Sequence, residues 1–251
     1  MVNVDILDYI DFSVSFSLGS WPFIVSLNEY DTKRQRYIHY CGGAIINKFQ
    51  IVSAAHCFEH NSNPQDWIII AGRNDIYMPE LHKSPIKNRL NITKYLENVY
   101  LPKEIVMHGG RRKIGYVNDI AVINLKKPLK LNGKTMTTIK LASKTPQSRG
   151  KCKLAGWGAI NRQIGILDSY PCQLHEAIVK IRSFQECRVN YFLYHARKQS
   201  VRDFSELRYA KYLWFYVQDQ QNICAGGAQT DSCSVRGFTY ICASNYGTFL
   251  I

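Results

Sequence analysis

Apolar residues along this chain come in short bursts separated by turn-forming residues. Runs rich in Val, Ile and aromatic side chains occupy 23–27, 41–46, 50–54, 67–71, 120–125, 153–155, 177–181 and 239–242. Gly, Asn, Asp and Pro lie between them and supply the backbone conformations that turns require. The pattern predicts β-strands at those positions, because β-branched and aromatic side chains suit a pleated, half-buried surface. Many short strands at this spacing predict a sandwich or a barrel and argue against βαβ units. Residues 196–217 break the pattern. The stretch 196–212 has few turn formers and predicts one or two helical turns within a long surface insertion. No repeat, Pro- or Gly/Ser-rich linker or low-complexity tract divides the chain.

Composition narrows the class. The 251 residues suffice for one large all-β domain or two small ones, and 46% apolar content supports a sizeable core. No run approaches the roughly 18 apolar residues of a membrane span, and the longest aromatic-aliphatic stretch, 212–217, is only strand length. Residues 1–18 do not read as a signal peptide, since no Lys or Arg precedes the apolar stretch and Asp5, Asp8 and Asp11 interrupt it. Eight cysteines nevertheless point to an oxidising compartment, as does the sequon Asn91-Ile92-Thr93. Their spacings lack the paired C-x-x-C knuckles of a zinc site, so no metal is expected.

The formal charge of +13 is concentrated at Lys33-Arg34-Gln35-Arg36, Arg111-Arg112-Lys113, Lys126-Lys127 with Lys130, and Arg197-Lys198 with Arg202. Such a surface attracts heparin-like polyanions, acidic proteins, nucleic acid or anionic membranes; the plainer reading is a scattered, solvated basic surface. No RRM, zinc-finger or helix-turn-helix signature accompanies the charge, so specific nucleic-acid binding is not expected.

Three local motifs, in order, resemble the chymotrypsin/trypsin family of serine proteases. Cys41-Gly42-Gly43-Ala44-Ile45-Ile46 followed by Ser53-Ala54-Ala55-His56-Cys57 is similar to the family's cysteine-glycine-glycine strand and histidine turn. Asn118-Asp119-Ile120-Ala121-Val122-Ile123-Asn124-Leu125 resembles the strand that carries its aspartate, and Ala155-Gly156-Trp157-Gly158 its glycine-tryptophan-glycine segment. Gly19-Ser20-Trp21-Pro22-Phe23 resembles the opening of its first barrel. The resemblance implies an all-β, double six-stranded antiparallel β-barrel, with a first barrel over about 19–125 and a second over about 135–251, after an atypical segment 1–18. It also implies secretion, and protein or peptide substrates or inhibitors as partners, with no cofactor.

The family's chemistry needs a hydroxyl made nucleophilic by an imidazole, and a carboxylate that holds the imidazole in the right tautomer. By resemblance His56 is the general base and Asp119 its orienter; read alone, His56 is a structural histidine in a cysteine-tethered turn and Asp119 a turn residue. Asp231, after Ile223-Cys224-Ala225-Gly226-Gly227, stands where an aspartate pairs with substrate Lys or Arg; read alone, it is a surface-loop residue. The resemblance further implies disulfides Cys41–Cys57, Cys187–Cys224 and Cys152–Cys242, and leaves Cys172 and Cys233 without assigned partners.

The pattern then breaks. After Cys233 the chain reads Ser234-Val235-Arg236-Gly237-Phe238, without the glycine-aspartate-serine-glycine-glycine-proline loop that presents the nucleophile and oxyanion donors. Ser234 comes three positions too early for that role. Ile10, about where activation would free a new terminus, follows Tyr9 rather than Lys or Arg, and the aspartate it would pair with is missing, Arg236 lying nearest that position. The chain stops after Ile251, so the second barrel is expected to be incomplete. Two readings stay open: a trypsin-like endopeptidase whose serine loop and tail are altered in this sequence, or a non-catalytic homologue that binds proteins or polyanions.

Overall fold

The computed structural model describes residues 18–79, 96–111, 118–141, 150–158 and 171–183, together with Leu81, Thr93, Gln185, Glu186, Val189 and the backbone of 225–226, 241–244 and 247–250. Within 171–183 the side chains of Ala177 and Val179 fall outside this set. So do the insertion 196–217, the N-terminal segment with Ile10, the sequon Asn91, and Cys187, Cys224, Asp231 and Cys233.

Seven assigned strands form the first sheet: β1 (Ile24–Asp31), β2 (Arg36–Asn47), β3 (Gln50–Ser53), β4 (Trp67–Ala71), β5 (Val99–Tyr100), β6 (Pro102–Met107) and β7 (Ala121–Leu125). Their order is β5-β4-β1-β2-β3-β7-β6, all described pairs being antiparallel. The two outer strands are one segment interrupted only at Leu101: its start pairs with β4 and its remainder with β7. The sheet therefore closes on itself as a barrel of six effective strands, which removes the unpaired edges an open sheet would carry.

Alternation explains the packing. In β4, Trp67, Ile69 and Ala71 enter the barrel with Val25, Leu27, Ile45, Ile51 and Ile123, whereas Ile68 and Ile70 pack outside against Tyr30, Tyr37 and Val99. A strand buried on both faces reads as an unbroken apolar run. In β7, Ala121, Ile123 and Leu125 are buried while Val122 and Asn124 between them are half-buried, so one face points to the core. Gly43 is set by steric need: an added Cβ would lie 2.8 Å from Ile51 Cγ2, 3.1 Å from Val52 O and 3.2 Å from Val25 Cγ2.

The second sheet comprises β8 (Lys151–Gly156), β9 (His175–Ile181), β10 (Ala225–Gly226), β11 (Ile241–Ser244) and β12 (Gly247–Leu250), in the order β10-β9-β8-β11-β12. Trp21, Ile24, Ala44 and Val52 of the first half form one buried cluster with Ala155, Trp157 and Leu174 of the second. The Trp157 indole N–H donates to Asn74 O at 2.8 Å, and Leu174 N–H donates to the same carbonyl, also at 2.8 Å. The two sheets are thus joined by a buried apolar cluster with hydrogen bonds at its margin. The all-β, trypsin-like double-barrel expectation holds.

Several predicted strands prove too short. β1 and β2 run on to Asp31 and back to Arg36 as a hairpin whose Tyr30 and Tyr37 join the outer cluster, closed by Asp31 Oδ1 accepting from Lys33 N–H at 2.8 Å and Arg34 N–H at 3.0 Å. The segment 99–107 was not expected as a strand, because Pro102, Lys103 and Glu104 look like turn or surface residues; Lys103 and Glu104 are exposed on the barrel's outside.

Candidate active site

β3 runs into a 3-10 turn, Ala55–Phe58, whose Ala55, Cys57 and Phe58 are buried. Three of its four side chains are therefore anchors, and His56 is the one turned outward. A disulfide from Cys57 to Cys41, with Cα atoms 6.2 Å apart, fastens the turn to β2. Ser53 Oγ donates to Gly42 O at 2.8 Å beside it. Small residues and a crosslink thus fix the backbone that presents the imidazole.

Asp119 enters from the opposite side, just ahead of β7. Asn118 adopts a left-handed conformation with φ 53°, which asparagine tolerates better than most residues, and its Nδ2 donates to Gly110 O at 3.0 Å. Ile120 O accepts from His108 N–H at 3.0 Å, so the end of β6 braces this loop. Asp119 Oδ2 lies 2.7 Å from His56 Nδ1, and Oδ1 accepts the His56 backbone N–H at 2.8 Å. Both carboxylate oxygens are committed to the same residue.

Burial pushes the Asp119 carboxyl up, but the hydrogen bond from the His56 ring, the charge of that ring, the His56 backbone N–H and the Arg111 guanidinium outweigh it and hold the group below its ordinary value. It is therefore a carboxylate at neutral pH. A carboxylate only accepts, so a neutral imidazole there carries its proton on Nδ1 and its lone pair on Nε2. With its side chain about one-third exposed, His56 has the geometry to take a proton from a group brought to its outer edge.

Behind this pair stand Arg111 and Glu59, neither of which the sequence placed at the site. Arg111 Nη2 lies 2.8 Å from Glu59 Oε1, and its Nε lies 3.2 Å from Asp119 Oδ1. The Arg111 side chain is only 9% exposed, which corrects its assignment to a solvated basic cluster. No local pattern announces this contact, because Glu59, Arg111 and Asp119 come from three separate segments.

Asp231, Cys187 and Cys224 lie outside the described residues, and Cys242 is described only as backbone in β11, next to β8. Cys152 is disulfide-bonded, to a cysteine outside the described side chains. Cys172 is a free, exposed thiol. Cys41, Cys57 and His56 bring ligand-type atoms within 4.8 Å of one another, but the two sulfurs are bonded together and the remaining imidazole alone does not make a metal site.

Among the described residues no helix is long and apolar enough to cross a membrane. Among curated proteins, the chain is 28% identical over 219 residues to the venom peptide isomerase heavy chain of Agelenopsis aperta, covering 86% of this chain and 74% of that one. It is 27% identical over 220 residues to U21-ctenitoxin-Pn1a of Phoneutria nigriventer, covering 86% and 75% respectively. It is 27% identical over 176 residues to mouse (Mus musculus) serine protease 28, covering 69% of this chain and 57% of that one. The solved structure of GrC superposes with a TM-score of 0.66 at 16% identity, over 95% of this chain and 85% of that one. The scabies mite inactivated protease paralogue S-D1 superposes with a TM-score of 0.66 at 21% identity, over 93% and 81%. The Trypsin family model matches residues 13–234, from ahead of β1 to beyond β10, and with the two joined sheets this makes the chain a member of the trypsin family.

Proposed function

We propose that this chain is an extracellular trypsin-family protein that does not hydrolyse peptide bonds through His56 and instead acts by binding. The observation that carries this reading is a mismatch. The His56–Asp119 pair is built, with a 2.7 Å contact, yet the sequence after Cys233 reads Ser234-Val235-Arg236-Gly237 where the resemblance calls for a nucleophile loop. Without a hydroxyl to activate and without glycine-flanked backbone N–H groups to hold an oxyanion, a general base completes no acyl transfer. Asp231 would still favour Lys or Arg side chains of a bound peptide or inhibitor. An extracellular setting is supported by the Cys41–Cys57 disulfide and by relatives whose names place them in venoms.

Hydrolysis of Lys and Arg ester substrates tests the reading. Turnover equal to that of His56→Ala is expected; turnover that His56→Ala abolishes would sink it.

A second reading, binding of a sulfated polysaccharide, is favoured by one surface. Leu129 N–H donates to Lys48 O at 2.7 Å, Leu125 N–H to Phe49 O at 2.9 Å and Lys126 N–H to Leu101 O at 2.9 Å, which draws three strand ends together at one barrel rim. Lys48, Lys103, Lys126, Lys127 and Lys130 are all exposed there. Their ammonium groups suit a flexible polyanion read by charge. Retention on immobilised heparin that falls with salt and with Lys126→Glu/Lys127→Glu supports this reading; retention unaffected by both removes it.

A further inference from the structure

A guanidinium removed from water needs compensating charge, and a buried arginine that lacks it is strongly destabilising. Arg111, 9% exposed, has two carboxylates against it, Glu59 at 2.8 Å and Asp119 at 3.2 Å. The contact with Asp119 is made at Oδ1, the same oxygen that accepts the His56 backbone N–H, and not at Oδ2, which faces the ring. Rotating the carboxylate about its Cβ–Cγ bond would break both Oδ1 contacts together with the Oδ2 contact. The backbone of Arg111 is tied as well, its N–H donating to His108 O at 3.0 Å.

We infer that Arg111 is a positioning residue for the His56–Asp119 pair, the charge of its guanidinium, beside Oδ1 without hydrogen-bonding it, favouring the orientation in which Oδ2 stays aimed at the imidazole while the charge of Asp119 is shared between two cationic partners. The charged groups against Asp119 come from two other segments, His56 from the turn and Arg111 from beyond the end of β6, and Glu59, just after the turn, reaches Asp119 only through Arg111. Glu59 is then the anchor that sets how much of Arg111's charge Asp119 receives. This assignment goes beyond the proposed lack of hydrolysis and stands independently of it, since it concerns only groups already in contact. It also supplies a reason for Asp119 in a chain without the nucleophile loop: Asp119 is a counter-ion as well as an orienter.

The test is carboxyl-carbon NMR titration of Asp119 in the full-length chain, comparing Arg111→Met, Arg111→Lys and Glu59→Gln with the parent. Arg111→Met is expected to raise the Asp119 midpoint by about one unit, because a neighbouring cation is lost. Arg111→Lys, which keeps the charge, is expected to hold it near the parent value. Glu59→Gln is expected to lower it, because an anion is removed and Arg111 turns wholly to Asp119. If Arg111 were only a mechanical tether, Arg111→Met and Glu59→Gln would both loosen the carboxylate and move the midpoint the same way, upward; that result overturns the assignment. Should Arg111→Met fail to fold, Glu59→Gln decides alone, a fall supporting the inference and an unchanged or raised midpoint refuting it.

Discussion

The Trp21 indole N–H donates to Glu176 Oε2 at 3.0 Å, joining residues 155 positions apart at the seam between the two sheets. Trp21 is also part of the buried cluster that Trp157 and Leu174 share, and Glu176 lies 3.7 Å from Lys153 Nζ through its other oxygen. Trp21→Phe keeps an aromatic ring but removes the donor to a largely buried carboxylate. A loss of about 1–3 kcal/mol is expected in urea unfolding. Trp21→Phe combined with Glu176→Met should lose less than the sum of the two single variants, since no carboxylate is then left without its donor.

Gly43 offers a sharper steric test. Its hydrogen faces Ile51 and Val25, with Val52 O 3.1 Å from where a Cβ would sit. Gly43→Ala gains helix-neutral chain stiffness but pushes against backbone and two packed side chains. Overpacking of this kind costs about 1–3 kcal/mol, read as a lower thermal midpoint. Moving the branch away in Gly43→Ala/Ile51→Leu, which removes the Cγ2 methyl, would restore part of it only if the Ile51 Cγ2 contact is the main strain.

Asp119 should matter for stability, unlike an aspartate present only for chemistry. Asp119→Ala leaves Arg111 with Glu59 as its one remaining described carboxylate partner and strips His56 of two hydrogen bonds. A loss of about 2–4 kcal/mol is expected in denaturant unfolding, most of it recovered when Arg111→Met is added. An Asp119→Ala chain as stable as the parent would show that the ion pair contributes little.

How much of this could be read beforehand depends on whether a feature is local. The unbroken apolar run at 67–71 and the alternation at 121–125 carry their burial in their own order, and both strands lie where that order predicts. The segment 99–107 does not, because its outward side chains are Lys103 and Glu104 and its partners lie on both open flanks of the sheet. His56 and Asp119 sit inside short motifs and were legible. Arg111 and Glu59 were not, since a buried guanidinium looks the same in sequence as a solvated one and only the fold brings its carboxylates to it.

Acid should destabilise the chain in two stages. Burial lowers the His175 value below its ordinary 6.5, so the unfolded chain takes up that proton first. Its contribution to stability is complete above 6.5 and is lost as pH falls through the lower folded value. The Asp119 value is depressed below 3.8, so its contribution is complete above 3.8 and is lost as pH falls further, through its folded value. Urea midpoints measured from pH 8 to about pH 3 should therefore decline twice. His175→Phe should remove the upper decline and Asp119→Asn should shrink the lower, to which Asp31, held below its ordinary value by the Arg34 backbone N–H, also contributes.

Leu101, where β5 gives way to β6, has a consequence for the route by which the chain folds. Until residues 99–107 dock, β4 and β7 both present bare flanks, and the ring of strands is a ribbon with two adhesive sides. One segment must reach both, from 28 positions after the end of β4 on one side and 14 before the start of β7 on the other. Loop closure of that kind is slow compared with hairpin formation, so β1 and β2, joined by a four-residue connection, should pair well before the ring shuts. The interval between those two events is when nascent chains are most exposed to one another, and its length is governed by how quickly Leu101 finds its place.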